Sequence, residues 1–223
     1  MSSVDGLDGV LFDLDGTLLD SEPHWFAAEH ALAQRYDAHW TDADAASVVG
    51  SDLLVSARVM QQKMGLPLTD EQIVDSLVEA VSAAVHREVP WRPGARELLL
   101  DVSAAGIPCA LVTMSYARIV EPVLAHVPDG TFGAVVTGDT VSHGKPHPEP
   151  YLRAMSLLGA RPEHCVAVED SPTGAASAEA AGVHVVVVPN IVEVPGGPGR
   201  TVLTSLAGIT VADLNAFRDV TES

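Results

Sequence analysis

Five short apolar runs, at 9–12, 107–112, 134–136, 165–168 and 184–188, are each followed by a helix-like or turn-rich stretch. A strand with one wet face alternates apolar and polar residues, whereas an unbroken Val/Leu/Ala run of this length predicts burial on both faces. Amphipathic stretches at 93–105, 116–126, 148–159 and 173–181 fill the intervals, and Gly106, Gly159 and Gly182 stand where those helices should stop. Such alternation predicts an α/β fold, a doubly wound parallel sheet covered by helices. With only 4% aromatic residues, the core must be built from Ala, Val and Leu.

One interval breaks the alternation. From residue 16 to residue 106 no convincing strand occurs, and the periodic segments at 23–36, 42–49, 53–64 and 70–89 read as helices. A compact domain does not carry a structureless connection of that length. The expected organisation is therefore an α/β core formed by residues 1–20 and 91–223, with an inserted α-helical cap domain at 21–90. Its two connections would lie beside the C-terminal end of the first strand, where ligands of open α/β sheets bind, so the insert could open and close over a site.

The formal charge is −18, from 30 acidic and 12 basic residues, which argues against nucleic acid and acidic membrane surfaces as partners. No stretch approaches the roughly 18 consecutive apolar residues of a membrane span. Met1-Ser2-Ser3-Val4-Asp5 lacks the basic-then-apolar order of a signal peptide, so a soluble cytoplasmic protein is expected. Cys109 and Cys165 fall in predicted strands and read as small core residues. The sequence assigns no oligomeric state and is compatible with a monomer.

Chemistry concentrates at the strand ends. The run Val10-Leu11-Phe12-Asp13-Leu14-Asp15-Gly16-Thr17-Leu18 is an apolar strand ending in two acids at i and i+2, which lie on one side of an extended chain. One such carboxylate can attack while the other moves a proton. Taken alone, Asp-Gly-Thr is also an ordinary polar turn. Thr113, Lys145 and the pair Glu169-Asp170 follow later strands; singly they read equally as a strand-end threonine, a solvated loop lysine and a helix-capped terminus. Lys145 is one of only two lysines, the other being Lys63. His143 and His147 are four apart, but Gly144, Pro146 and Pro148 forbid the helix on which that spacing would chelate zinc. His24, at the entry to the insert, is a candidate substrate contact and equally a helix-surface histidine.

In order, Phe12-Asp13-Leu14-Asp15-Gly16-Thr17-Leu18, Leu111-Val112-Thr113, Gly144-Lys145-Pro146-His147-Pro148 and Val166-Ala167-Val168-Glu169-Asp170-Ser171 resemble the four motifs of the haloacid dehalogenase-like phosphohydrolases. The helical insert stands where the subgroup with a small α-helical cap carries it, so the resemblance covers nearly the whole chain. It implies that Asp13 attacks phosphorus, that Asp15 serves as acid and then base, and that Thr113 and Ser115 bind a phosphoryl oxygen. It further implies that Lys145 holds nucleophile and phosphoryl group together. Mg²⁺ would be bound by Asp13, Asp170 and the main-chain carbonyl of Asp15, with Glu169 supporting directly or through water. Glu22 and His24, beside the Asp20-Ser21-Glu22-Pro23 junction, would face the substrate, a small phosphorylated metabolite such as a sugar or polyol phosphate.

Departures from relatives narrow the reading. Dehalogenases of the family lack the second aspartate of the first motif, here Asp15. Phosphonate-cleaving members use a cap lysine, for which only Lys63 is available and without a recognisable motif. The β-phosphoglucomutase-like sugar-phosphate mutases carry a histidine where Trp25 stands, an arginine where Leu53 follows Gly50, and Lys-Asn where Tyr116-Ala117 stands. A mutase must hold a second phosphate in the cap, which calls for cations. A phosphatase is thus expected, with a mutase as the alternative and a catalytically silent binding module of the same fold as the second.

Overall fold

The computed structural model describes residues 6–219; the N-terminal segment read above, Met1 to Asp5, lies outside them. Six parallel strands form one sheet in the order β3-β2-β1-β4-β5-β6. They are β1 (Gly9–Phe12), β2 (Cys109–Val112), β3 (Ala134–Val136), β4 (Cys165–Glu169), β5 (His184–Val187) and β6 (Arg200–Val202). From central β1 the chain builds outward in one direction to β2 and β3, then returns to build β4, β5 and β6 on the other side. The order reverses beside β1, between it and β4. Phe12 pairs with both Leu111 and Val168. That register brings Asp13, Thr113 and the Glu169-Asp170 pair out at the same sheet edge.

Burial of both faces follows residue parity. Val10, Phe12, Leu111, Val166 and Val168 belong to one apolar cluster, whereas Leu11, Ala110, Val112, Ala167 and Val185 belong to the other. This is the packing that continuous apolar runs predict, except in β3, an edge strand where Val135 is 36% exposed. Helices α5 (Ala95–Ala104), α6 (Ala117–Leu124), α7 (Glu149–Leu158) and α8 (Pro172–Ala180) connect or follow the strands, as expected. Cys109 and Cys165 are free and buried in the sheet, and burial pushes both thiols up to about 12.

Two elements were not expected from the sequence: β6 and the helix α9 (Val211–Asp219). Arg-Thr-Val of β6 is an edge segment of three partly exposed residues, so it has no continuous apolar pattern to announce it. Its pairing through Val186 to Thr201 extends the sheet beyond β5.

Between β1 and β2 lie α1 (Glu22–Arg35), α2 (Asp42–Ala46), α3 (Leu53–Met64) and α4 (Asp70–Arg87), with no strand among them. The outgoing and returning connections run side by side: Leu19 bridges Trp91, the amide of Asp20 donates to the carbonyl of Pro90 at 2.8 Å, and that of Arg92 to Leu18 at 2.9 Å. Capping boxes start α2 (Thr41 and Asp44) and α4 (Thr69 and Gln72). Gly65, at φ +64°, ends α3. Helix α4 packs against α1, α3 and α6, and Ser82 Oγ donates to the carbonyl of Arg118 at 2.9 Å. No helix among the described residues is long and apolar enough to cross a membrane.

Candidate active site

Asp13 leaves β1 at the point where the strand order reverses, a crevice that open α/β sheets use for ligands. Its Oδ1 accepts from Lys145 Nζ at 2.7 Å. Its Oδ2 is buried and has no hydrogen-bond partner. Burial pushes the Asp13 carboxyl up to about 7, with Lys145 pulling down and Glu169 and Asp15 pushing up further.

The three donors of Lys145 are all engaged, to Asp13 Oδ1, to Glu169 Oε1 at 2.6 Å and to the carbonyl of Val112 at 2.9 Å. Burial disfavours the ammonium, but the Asp13 and Glu169 carboxylates outweigh it and hold the lysine above its ordinary range. Glu169 is itself saturated. Tyr151 Oη donates to Oε1 at 2.6 Å, and the Asp170 amide and Ser171 Oγ approach Oε2 at 3.2 and 3.4 Å. Asp170 stands next to it, ahead of α8, whose first turn is capped by Ser171 accepting from the Gly174 amide at 3.0 Å. Burial, with Asp13 and Glu169 alongside, pushes the Asp170 carboxyl well above the carboxylate range.

Asp15 sits in a different setting. Ser21 Oγ (2.7 Å) and Trp25 Nε1 (3.0 Å) donate to its Oδ1, while Ser115 Oγ (2.6 Å) and Thr113 Oγ1 (3.2 Å) donate to Oδ2. Ser21 precedes α1 as its N-cap, yet its hydroxyl serves Asp15 and makes no capping bond. Two carboxylates two residues apart thus meet opposite surroundings. One is held by a buried cation, the other by neutral donors from the first strand's turn, α1 and the end of β2.

Two glycines make this approach of chains possible. At Gly16 (φ +78°) a Cβ would lie 1.9 Å from Asp170 Oδ2 and 2.8 Å from Glu22 Oε1. At Gly174 it would lie 2.1 Å from the Glu169 carboxylate. Asp13, Glu169 and Asp170 each offer a carboxylate oxygen, all within 4.8 Å of one another, so this buried acidic cluster could hold a metal ion. The Asp15 carboxylate is not part of it.

The cavity above these residues is walled on the far side by α1 and the chain around α2 and α3, including Trp25, Phe26, Val48, Gly50 and Leu53. Asp13, Asp15, Thr113, Ser115, Lys145, Asp170 and Glu22 all line it; Glu169 lies behind Lys145 and His24 is not among the lining residues. A one-residue step around a helix turns a side chain by about 100°, and here Trp25 faces the cavity where His24 does not. Burial, then Asp15 and Asp13, push the Glu22 carboxyl up to about 8, and its Oε2 is unpartnered. Arg58 is exposed and paired with Asp70.

Sequence reasoning did not single out Ser21, Trp25 or Tyr151 as partners of the acidic residues. Ser21 and Trp25 are separated from Asp15 by the turn that redirects the chain into α1. Tyr151 shows only as an apolar position of α7. His143 and His147 do come together, with ring centroids 4.7 Å apart, although no helix spans them. With Glu149 they form an exposed second cluster, whose carboxylate accepts from the amides of Ser142 and His143.

The model of the haloacid dehalogenase-like hydrolase family matches residues 10–188. Hexitol phosphatase A of Escherichia coli K12 is 36% identical over 209 residues, covering 91% of this chain and 93% of that protein. The phosphorylated carbohydrates phosphatase of Thermotoga maritima is 33% identical, covering 79% and 82%. Among solved structures, CbbY from Rhodobacter sphaeroides in complex with phosphate superposes with a TM-score of 0.80 at 26% identity, covering 94% of this chain and 99% of that one. A second structure of CbbY, in complex with xylulose-(1,5)bisphosphate, gives 0.81 at 24%, covering 93% and 99%. With its family match spanning all four motifs and the strands that carry them, this chain belongs to the haloacid dehalogenase-like hydrolases.

Proposed function

We propose that the chain is a Mg²⁺-dependent phosphatase that hydrolyses a small phosphorylated metabolite, a sugar or polyol phosphate, through an aspartyl-phosphate intermediate. The observation that carries this reading is the contrast between the two acids of the first motif: Asp13 on Lys145, Asp15 in a shell of hydroxyls. In this reading residues 21–90 act as a cap over an α/β core at 1–20 and 91–223.

The donor set fits a hard cation. Asp13 Oδ2 is a buried oxygen with no partner, and Asp170 stands within reach of the same point. Asp13 and Asp170 would hold Mg²⁺ together with the main-chain carbonyl of Asp15. The oxygens of Glu169 already serve Lys145, Tyr151, the Asp170 amide and Ser171, which makes it a supporting residue. Bound there, the ion would offset the repulsion between Asp13 and a phosphate dianion.

An Asp13 oxygen attacks phosphorus as the ester P–O bond breaks, and protonated Asp15 gives its proton to the departing alkoxide. The alcohol leaves. Asp15, now a carboxylate, takes a proton from water as that water attacks the phosphorus of the aspartyl phosphate, returning Asp13 and releasing inorganic phosphate. Three of the four partners of Asp15 are hydroxyls, each able to donate or accept by rotating. The same shell therefore accommodates Asp15 with and without its proton. Trp25 contributes a donor only, where mutases of the family carry a histidine. Thr113 and Ser115 are positioned to shift from Asp15 to a phosphoryl oxygen.

The test is phosphate release from a panel of phosphorylated sugars and polyols. Mg²⁺-dependent release that Asp13→Asn abolishes and excess chelator stops is the expected result. Full activity in chelator removes the metal from the account, and full activity of the variant removes the nucleophile.

A further inference from the structure

The cap side of the cavity carries a buried carboxyl, Glu29. Glu29 stands seven residues after Glu22 on α1, which puts it on the same helix face about 10 Å further along the axis. It is 5% exposed and lines the cavity, in company with Phe26, Val48, Leu53 and Leu77. Its Oε2 accepts from Trp40 Nε1 at 2.8 Å, a bond that fixes the carboxyl from behind. Burial pushes this carboxyl up to about 7, against the Trp40 hydrogen bond and the nearby His30, so near neutrality it both accepts and donates.

Among the described residues lining the cavity Lys145 is the sole cation, and its donors are taken within the core. Two cationic residues of the insert are paired elsewhere: Lys63 with Asp44 and Arg58 with Asp70. A second phosphate lying in this half of the cavity would face Glu29, with no free cation among the described lining residues to neutralise it.

We propose that Glu29 is a specificity-determining residue that hydrogen-bonds hydroxyls at the end of the substrate remote from the phosphate, selecting monophosphates of uncharged polyhydroxy alcohols and rejecting bisphosphates. This rests on the phosphatase reading above and names the substrate class of that site. A buried polar group discriminates strongly, because a substrate without the matching hydroxyl leaves it unpaired.

The test measures kcat and KM for a hexitol monophosphate, a hexose bisphosphate and p-nitrophenyl phosphate, in Mg²⁺, with the wild type, Glu29→Leu and Glu29→Gln. The wild type should favour the hexitol monophosphate over the bisphosphate. Glu29→Leu should lose roughly tenfold to a hundredfold in kcat/KM for the hexitol monophosphate, mostly through KM. For p-nitrophenyl phosphate, which lacks the hydroxyls, it should stay near the wild-type value. Glu29→Gln, which keeps an oxygen for Trp40 and covers the event that the leucine variant does not fold, should lose less and in the same substrate-selective way. Equal losses on both monoesters, no loss on the hexitol phosphate, or a wild-type preference for the bisphosphate would overturn the assignment. Asp13-dependent release from p-nitrophenyl phosphate without selectivity at Glu29 removes only this inference; no release from any ester removes the phosphatase reading and the inference with it.

Discussion

Glu169 holds Lys145 in place: carboxylate and ammonium meet at 2.6 Å with both side chains buried, and the second carboxylate on that ammonium is Asp13. The pair fixes where the Asp13 oxygen can sit, so the last residue of β4 positions a residue at the end of β1. Replacing Glu169 by Gln keeps an acceptor and removes the charge; replacing it by Leu removes both and leaves the Tyr151 hydroxyl unpartnered. The expected order of activity is wild type, then Gln, then Leu, with the leucine variant down roughly a hundredfold or more. Because Asp13 still opposes Lys145, the loss of stability should fall below the ~3–5 kcal/mol of an uncompensated buried charge. Denaturant unfolding beside steady-state kinetics checks both.

The hydroxyl shell of Asp15 makes a prediction about leaving groups. Trp25→Phe and Ser21→Ala each delete one hydrogen bond to Asp15, which in the proposed reaction gives its proton to the departing oxygen. An alkyl phosphate needs that proton and p-nitrophenyl phosphate does not. Each variant should lower kcat on a polyol phosphate by roughly tenfold and on p-nitrophenyl phosphate by clearly less. Equal losses on the two would assign these residues to binding.

Much of this arrangement was legible in the chain because each feature is written in a local pattern. Continuous apolar runs gave the doubly buried strands, and the acids at 13, 15, 169 and 170 follow directly from strand ends. What escaped depends on contacts between segments far apart in sequence. Arg200–Val202 becomes a strand because the edge of β5 is there to pair with it. The Trp40 to Glu29 bond closes only after the chain turns between α1 and α2, and Tyr151 reaches Glu169 from α7. Within a chain of formal charge −18, a buried lysine and a cluster of acids suited to a cation meet at one strand end.

Gly174 offers a steric test of the Glu169 position. A methyl group there would stand 2.1 Å from the carboxylate, which is fixed on its other side by Lys145 and Tyr151. Although alanine favours helix over glycine elsewhere, Gly174→Ala should destabilise the fold by about 1–3 kcal/mol and lower activity with it. A thermal melt that rises on this substitution would contradict the packing.

Glu29 also predicts a pH dependence of stability. Its carboxyl is raised from 4.5 to about 7 in the folded chain, chiefly by burial. The native state therefore holds a proton that the unfolded chain has released, and stability falls as pH rises from about 4.5 through about 7. Glutamine has no such dependence. The melting temperature of Glu29→Gln relative to wild type should thus increase between pH 5 and pH 8; a constant difference would place the Glu29 charge in water.

The central claim, that Asp13 becomes phosphorylated, is tested most directly by trapping the intermediate. Asp15→Asn should form the aspartyl phosphate poorly and release it slowly, since its proton donor and base are gone. After incubation with substrate and Mg²⁺ and an acid quench, mass analysis should find one phosphoryl group on the peptide containing Asp13, absent from the double variant Asp13→Asn, Asp15→Asn. A phosphoryl group on another residue, or wild-type turnover by Asp13→Asn, would contradict the account.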